Sequence, residues 1–296
     1  MNRFLLVILG LSALTATARQ VTVVEKTQLL KGVEGAVHYP VLNKTGDRLL
    51  FSDGAAQGLK MYDFNDNVVT RISDAQGAGI DAAFGADGNV YYVTQEASQE
   101  NLIYRTGHCY DVNRASSRVV LEAQHGAVRP EVGTAGIALK GERKSFSSTR
   151  NLGTAVFVKG SKIFVTVGGT TREYAPVESH AGYLWPSLSP DGKKVVFFAA
   201  GKGIVVIDLE GNVLSMLGNY EMPCWYDNDY VVAQNAKDDG HQFTSSNILI
   251  LKADGSFKTE LTAPTSMTMQ PTCAAGKIVY TSIDGQLYLM KISIHP

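Results

Sequence analysis

The sequence predicts an all-β protein that folds as a six-bladed β-propeller of four-stranded antiparallel blades, closed by the N-terminal strand. Three observations lead to this prediction. A β-rich unit recurs along the chain, which is typical of repeat architectures. Each copy consists of short apolar runs separated by turn residues, the pattern of a blade of antiparallel strands. A further β-rich run precedes the first copy.

The clearest copy of the unit begins at Leu184 and reads LWPSLSPDGKKVVFF. It predicts a short strand, a tight turn at Asp191-Gly192 and a second strand. Asp-Gly is favoured in type I′ hairpin turns, because both central residues of such a turn need positive φ. Two more β-rich runs follow between residues 203 and 217, so one copy predicts one blade. The same dipeptide begins at Asp87, Asp254 and Asp284, which are also assigned to turns.

Six copies are predicted, and the first strand of each is anchored at one position: Pro40, Ala82, Pro130, Pro186, Pro223 and Pro271. Pro40 and Pro271 lie five repeats apart, so the mean spacing is about 46 residues, within the range of propeller repeats. The third copy is irregular. Its runs at 155–159 and 162–167 align with the second and third strands of the clearest copy, which leaves an insertion around residues 141–151.

The two ends of the sequence predict how the ring closes. The last copy contains only three strands before Pro296. The spare run Val21–Leu30 can supply the missing outer strand, and closure removes a sheet edge that would otherwise be exposed. We therefore expect residues 19–296 to form one propeller domain whose first and last segments are neighbours in space.

Residues 1–18 are predicted to be a signal peptide. Arg3 supplies a basic start, residues 4–14 form an apolar stretch, and Ala16-Thr17-Ala18 is a cleavage motif. We expect cleavage after Ala18 and a mature protein that is periplasmic or secreted. No later apolar run approaches the ~20 residues that cross a membrane, so no transmembrane segment is predicted. The net charge of −1 gives no reason to expect a nucleic-acid partner.

The sequence contains three cysteines, Cys109, Cys224 and Cys273. An odd number leaves at least one thiol unpaired, even in an oxidising compartment. Cys224 and Cys273 occupy nearly matching first-strand positions of adjacent blades. The sequence is compatible with a disulfide between them and also with two unpaired cysteines that serve as small core side chains.

The stretch Trp185 to Lys194, followed by an aliphatic strand and the turn Asp208–Gly211, resembles the repeat of TolB-type, WD40-like β-propellers. The run Leu249–Gly255 with Glu260-Leu261-Thr262 is similar to the closing half of that repeat. The resemblance implies a secreted propeller of the cell envelope, and members of the family mostly bind proteins or glycans. TolB carries another domain ahead of its propeller, which this chain is expected to lack.

No motif of a catalytic site occurs in the sequence. G-x-S-x-G, H-E-x-x-H, the P-loop and the dinucleotide fingerprint are absent, so we predict no catalytic residue, no cofactor and no metal. Some TolB-like lyases hold a divalent metal over the central channel with histidines from different blades. By that resemblance His38, His180 and His241 form a candidate set, although their spacing matches no metal site. Solvated loop histidines are the alternative.

Side chains suited to binding collect at or before the predicted first strands. Loops that lead into these strands converge on one face of a propeller, and aromatic and arginine anchors ringed by polar groups suit a binding surface. Tyr39 and Tyr183 are expected to be partly exposed, whereas packing between blades is an alternative for Trp185 and Trp225. The candidate ligand-binding residues are His38, Tyr39, Arg129, His180, Tyr183, Trp185, Trp225, His241 and Phe243.

These observations predict a non-catalytic, monomeric propeller that binds a protein or peptide partner, or a glycan, in the cell envelope. The first alternative is a glycan-binding or metal-dependent polysaccharide lyase that uses the histidines of the candidate face. Convergence of His38, His180 and His241 within metal-binding distance would favour that alternative. The second alternative is a ring with a purely structural role in a larger assembly.

Overall fold

A computed structural model describes residues 20–31, 35–54 and 57–295. The strands in these residues form seven antiparallel sheets. The predicted signal peptide, residues 1–18, lies outside the described residues. Among the described residues there is no helix of the length and apolar character needed to cross a membrane.

The first described strand is β1 (Gln20–Gln28), and the strands after it follow one another blade by blade. Blade 1 contains β2 (His38–Leu42), β3 (Arg48–Ser52), β4 (Gln57–Asp63) and β5 (Val68–Gln76). Blade 2 contains β6 (Ala83–Phe84), β7 (Val90–Ala97), β8 (Ile103–Asp111) and β9 (Ser116–His125). Blade 3 contains β10 (Val128–Val132), β11 (Ile137–Gly141) and β12 (Ser145–Ser147). Blade 4 contains β13 (Ala155–Lys159), β14 (Lys162–Val167) and β15 (Thr170–Tyr174).

Blade 5 contains β16 (Tyr183–Leu188), β17 (Lys194–Ala199), β18 (Gly203–Asp208) and β19 (Val213–Gly218). Blade 6 contains β20 (Glu221–Trp225), β21 (Tyr230–Asp238), β22 (Phe243–Lys252) and β23 (Lys258–Glu260). Blade 7 contains β24 (Thr268–Ala274), β25 (Lys277–Ser282), β26 (Leu287–His295) and β1.

The ring has seven blades, so the predicted number of six was wrong. The region assigned to the third copy forms two three-stranded sheets, which also departs from the four strands expected of every blade. β13 runs antiparallel to β10, because Gly133 and Ala155 form an antiparallel bridge. The hairpin of β13 and β14 therefore has the polarity of a second and third strand, as the sequence alignment indicated. The supposed insertion holds β12, which pairs with β11 and completes blade 3.

The N-terminal strand closes the ring, which confirms that part of the prediction. β1 pairs antiparallel with β26, from Gln20 opposite His295 to Gln28 opposite Tyr288. Glu25 Oε2 lies 2.8 Å from Lys291 Nζ across this pair. The edge of β26 is consequently covered by the chain's own N-terminal segment.

The Asp-Gly pairs lie in hairpin turns, but the turns are not of the predicted type I′. Only the glycine of each pair has positive φ; Gly88 and Gly192, for example, have φ of 78° and 70°. The amide of Gly192 donates to the carbonyl of Ser189 at 2.8 Å. This is a type I turn followed by a left-handed glycine. The Ser189 hydroxyl donates to the Asp191 carboxylate and holds the pKa of that carboxyl below its ordinary value.

Six of the seven contacts between neighbouring blades contain an apolar cluster. The cluster between blades 5 and 6, for example, includes Val206, Trp225 and Leu249. The contact between blades 3 and 4, all of which the structure describes, has a polar link instead: Arg129 Nη1 donates to the carbonyl of Val158 at 2.9 Å. Within blade 3, buried Glu131 has a carboxylate oxygen 4.0 Å from Lys140 Nζ.

Candidate binding face

The first strands of six blades (β2, β6, β10, β16, β20 and β24) begin on one side of the ring, which we call the upper face. Innermost strands contact each other in the order β6, β10, β13, β16, β20, β24 and β2, so they surround the axis. Each second strand runs antiparallel to its first strand. The hairpins between second and third strands therefore return to the upper face.

Five first-strand positions on the upper face share an unusual backbone conformation, with φ between 49° and 55°. The five residues are Tyr39, Asp81, Trp185, Met222 and Gln270. All but Asp81 precede a proline, and the residue before proline is normally extended. A non-glycine residue in a sparsely populated backbone region costs of order 1–3 kcal/mol and persists only where its surroundings hold it.

At four of these positions the unusual residue and the proline after it form a β-bulge. His38 pairs with Ser52 and Val41 pairs with Leu50, so Tyr39 and Pro40 together oppose one residue of β3. Equivalent shifts occur in blades 5, 6 and 7, at residues 185–186, 222–223 and 270–271. A bulge re-aims a side chain relative to its neighbours in the strand. The chain thus makes the same local rearrangement at the start of four first strands.

The side chains at these positions are accessible to a partner. Tyr39 is 44% exposed and Trp185 is 38% exposed. Leu184, the residue before Trp185, is 45% exposed. Asp81 is exposed, whereas Met222 and Gln270 are half-buried. The Tyr39 ring lies 6.1 Å from the His38 ring, and the Trp185 ring lies 5.5 Å from Phe198.

Hydrogen bonds between blades hold part of this face in place. Gln270 Oε1 accepts a hydrogen bond from the backbone amide of Tyr39 at 2.9 Å. The backbone amide of Gln270 donates in turn to Gln234 Oε1, also at 2.9 Å. These bonds connect blades 6, 7 and 1 at the positions where the backbone is unusual. They therefore hold this part of the upper face in place.

Opposite charges lie on the upper-face ends of blades 2 and 3. Asp81 is reached by solvent but is enclosed enough that desolvation raises the pKa of its carboxyl, an effect that the positive charge of Arg129 opposes. Arg129 is itself exposed, and the bond to Val158 orients its guanidinium. The face thus presents an acid and a fixed cation beside its aromatic groups.

Most of the predicted site residues lie on the upper face. Tyr39, Arg129 and Trp185 are exposed there, and His38 is half-buried. Phe243, 43% exposed, and His241 lie at the end of the hairpin between β21 and β22. The His180 side chain is 93% exposed in the loop before β16, with Nε2 3.2 Å from Glu178 Oε1.

Tyr183 and Trp225 are core residues rather than surface residues. Tyr183 is 2% exposed, so the expectation of partial exposure was wrong. It pairs regularly with Ala199 ahead of the bulge, and its ring packs 4.7 Å from the Phe197 ring in the cluster between blades 4 and 5. Trp225 is 4% exposed and donates from Nε1 to the carbonyl of Ser187 at 3.0 Å, which confirms the alternative of packing between blades.

Sequence reasoning missed Asp81 and Gln270. Both occupy the position directly before a first-strand anchor, as Tyr39 and Trp185 do. Neither residue is an aromatic, arginine or histidine, the types that the sequence analysis associates with a binding surface. The alignment of the anchors contained the signal, because it marks the same position in each blade.

The candidate histidines do not assemble into a metal site. Among the described residues, which include His38, His180 and His241, no group of three histidine, cysteine or carboxylate side chains is placed to hold a metal ion. The condition that would favour a metal-dependent lyase is therefore not met.

No protein-family model and no curated protein matches the sequence. Among solved structures, the chain is similar to TolB from Acinetobacter baumannii, with 15% identity and a TM-score of 0.53 over 80% of this chain. That match spans 57% of the TolB chain. The chain is also similar to virginiamycin B lyase from Staphylococcus aureus, with 11% identity and a TM-score of 0.64 over 92% of this chain and 99% of that one.

A third similar structure is the Cps50 (Swd1) β-propeller domain from Myceliophteria thermophila, with 8% identity and a TM-score of 0.62 over 93% of this chain and 100% of that one. At such identities the likeness concerns the fold alone. The neighbours differ in function, and a propeller fold does not determine which function its face performs. The chain has the β-propeller fold of the TolB and WD40-like kind.

Proposed function

We propose that this chain is a non-catalytic, extracytoplasmic β-propeller that binds a protein or peptide partner of the cell envelope through its upper face. The observation that carries the proposal is the positive φ shared by Tyr39, Asp81, Trp185, Met222 and Gln270. Sparsely populated backbone conformations occur preferentially at functional sites. In this chain the same conformation recurs at the corresponding position of five blades. The envelope location rests on the predicted signal peptide, and we expect the protein to act as a monomer.

The composition of the face supports a protein or peptide as the ligand. Tyr39 and Trp185 offer exposed aromatic rings, the residue types that dominate binding energy in protein interfaces. Asp81 and Arg129 can pair with charges or backbone groups of a partner at the rim. A partner segment with an apolar or aromatic anchor flanked by polar groups fits this arrangement.

The test is a binding comparison between the wild-type mature chain and the double variant Tyr39→Ala/Trp185→Ala. The immobilised wild type is first used to capture a partner from an envelope extract, and the purified partner is then titrated against both proteins. Loss of two aromatic hot spots is expected to weaken binding at least ~10-fold, since hot-spot truncations cost about 2 kcal/mol or more and about 1.4 kcal/mol is tenfold.

The matched control is Val213→Ala/Leu214→Ala, on the outer strand β19. These side chains are 42% and 51% exposed, similar to the aromatic pair, but they lie away from the first strands. The control is expected to bind within ~2-fold of the wild type, because exposed residues outside an interface contribute little. Equal binding by the wild type and the aromatic variant, with unchanged folding, would contradict the proposed face.

A further inference from the structure

Cys224 and Cys273 lie against each other across the contact between blades 6 and 7. Their sulfur atoms are 2.8 Å apart, well inside the van der Waals contact of two sulfurs and longer than the ~2.05 Å of a disulfide bond. Both residues pack against the apolar cluster of this contact. The third thiol, Cys109, is buried in the cluster between blades 2 and 3.

The position of each cysteine in its strand explains why the two face each other. Cys224 follows Pro223 by one residue, and Cys273 follows Pro271 by two. Successive side chains of a strand point to opposite faces of the sheet. Cys224 therefore points from blade 6 toward blade 7, opposite Val232, and Cys273 points from blade 7 toward blade 6, opposite Ile278. Val232 and Ile278 belong to the same apolar cluster.

We propose that Cys224 and Cys273 form a disulfide that joins the first strands of blades 6 and 7 when the folded chain meets an oxidising thiol–disulfide couple. One cysteine thiolate attacks a disulfide of a small-molecule or protein oxidant and forms a mixed disulfide, with release of one oxidant thiol. The second cysteine thiolate then displaces the other oxidant thiol. The two cysteines lose two electrons and two protons, which the oxidant receives as it is converted to two thiols.

The bond would pin the backbone near two residues of the upper face. Met222 lies two positions before Cys224, and Gln270 lies three positions before Cys273. Blade 7 is also the blade completed by β1. A covalent link between blades 6 and 7 would therefore tie the blade at which the ring closes to its neighbour. The inference stands on the cysteine geometry and does not depend on what the upper face binds.

The experiment counts thiols in the full mature chain. The folded protein is equilibrated with a mixture of oxidised and reduced glutathione, quenched with acid, unfolded in guanidinium and alkylated with N-ethylmaleimide. Intact mass is expected to show one adduct, at Cys109, and three adducts after prior reduction. Peptide mapping is expected to recover Cys224 and Cys273 in one linked species. The oxidised wild type is expected to melt several degrees above the reduced wild type, a comparison that needs no variant.

Three variants serve as controls. Cys109→Ala is expected to give no adduct when oxidised and two when reduced, whereas Cys224→Ser and Cys273→Ser are each expected to give two adducts in both states. Three adducts on the oxidised wild type, a glutathione adduct in place of the internal bond, or a link that involves Cys109 would each overturn the proposal.

Discussion

The two tryptophans allow a sharp test of how the first strands divide between core and binding face. They are the only tryptophans in the chain, and they lie on first strands of neighbouring blades, Trp185 in β16 and Trp225 in β20. Trp185 is 38% exposed on the upper face, whereas Trp225 is 4% exposed between blades 5 and 6. Replacing each by alanine should therefore separate binding from stability.

The expected stability losses follow from burial and hydrogen bonding. Truncation of a buried tryptophan to alanine costs about 3–5 kcal/mol, so Trp225→Ala should lower the free energy of unfolding by that amount. At roughly 2–4 °C per kcal/mol for a chain of this size, the melting temperature falls by roughly 6–20 °C. Trp225→Phe keeps most of the apolar contact but removes the hydrogen bond to the carbonyl of Ser187, which contributes about 0.5–1.5 kcal/mol.

Trp185→Ala removes a half-exposed ring and should change stability by much less. Its ring contacts Phe198 at 5.5 Å but belongs to none of the apolar clusters between blades. We expect a loss within about 1 kcal/mol, as is typical of substitutions away from the core. Binding by Trp185→Ala should weaken, while Trp225→Phe should retain the wild-type affinity as long as it is folded.

Fluorescence measures both environments directly, because each single variant leaves one tryptophan. Trp185→Ala leaves the buried Trp225, whose emission should be blue-shifted and protected from a soluble quencher. Trp225→Phe leaves Trp185, whose emission should be red-shifted and readily quenched. Denaturant titrations of the same samples give the free energies of unfolding. Equal quenching of the two residues, or a larger stability loss for Trp185→Ala than for Trp225→Ala, would refute the assignment of core and face.

Two further predictions concern closure and pH. Removing residues 20–28 should expose the edge of β26, lower the melting temperature and promote self-association. Light scattering and thermal melting compare this variant with the chain that begins at Arg19. A variant that stays monomeric with an unchanged melting temperature would contradict the closing role of β1. Burial raises the pKa of Glu131, although Lys140 and Arg129 oppose the shift. The native state therefore binds this proton more tightly than the unfolded chain, and stability should fall as pH rises from ~4.5 through the native pKa. Denaturant titrations at several pH values measure the free energy of unfolding. Glu131→Gln should remove this part of its pH dependence, and the exposed control Glu122→Gln should retain it. The same pH dependence in the wild type and Glu131→Gln would show that Glu131 contributes nothing.

The repeat in the sequence was sufficient to predict a propeller and its closure by the N-terminal strand, because both depend on apolar periodicity and turn residues. It failed at blades 3 and 4. Five of the six first-strand anchors are prolines, and β13 contains no proline. β13 also runs opposite to β10, so it matched the pattern of a second strand. Nothing in that local pattern shows that β13 begins a separate blade, and the count fell one short.

The same limit applied to single residues of the candidate face. Tyr183 and Trp185 are two positions apart and both aromatic, and only the bulge between Leu184 and Ser187 separates a core residue from an exposed one. A one-residue change of register reverses which side chains point into a blade contact. The X-Pro dipeptides at Tyr39, Trp185, Met222 and Gln270 marked the sites of these bulges, although their conformation emerged only from the fold.

The upper face and the hairpin turns differ in the residues that carry positive φ. At several hairpin turns the chain meets the need for positive φ with glycine, as at Gly88, Gly192, Gly255 and Gly285, whereas four other hairpins carry it on Asn67, Asn101, Ala115 and Ala275. Glycine adopts such a conformation with little steric cost, whereas other residues pay of order 1–3 kcal/mol. At the upper-face positions a comparable φ is carried by tyrosine, aspartate, tryptophan, methionine and glutamine. Glycine would relieve the backbone strain at these places but would offer a partner no side chain. Large and polar side chains at these places are what the proposed recognition by the upper face requires.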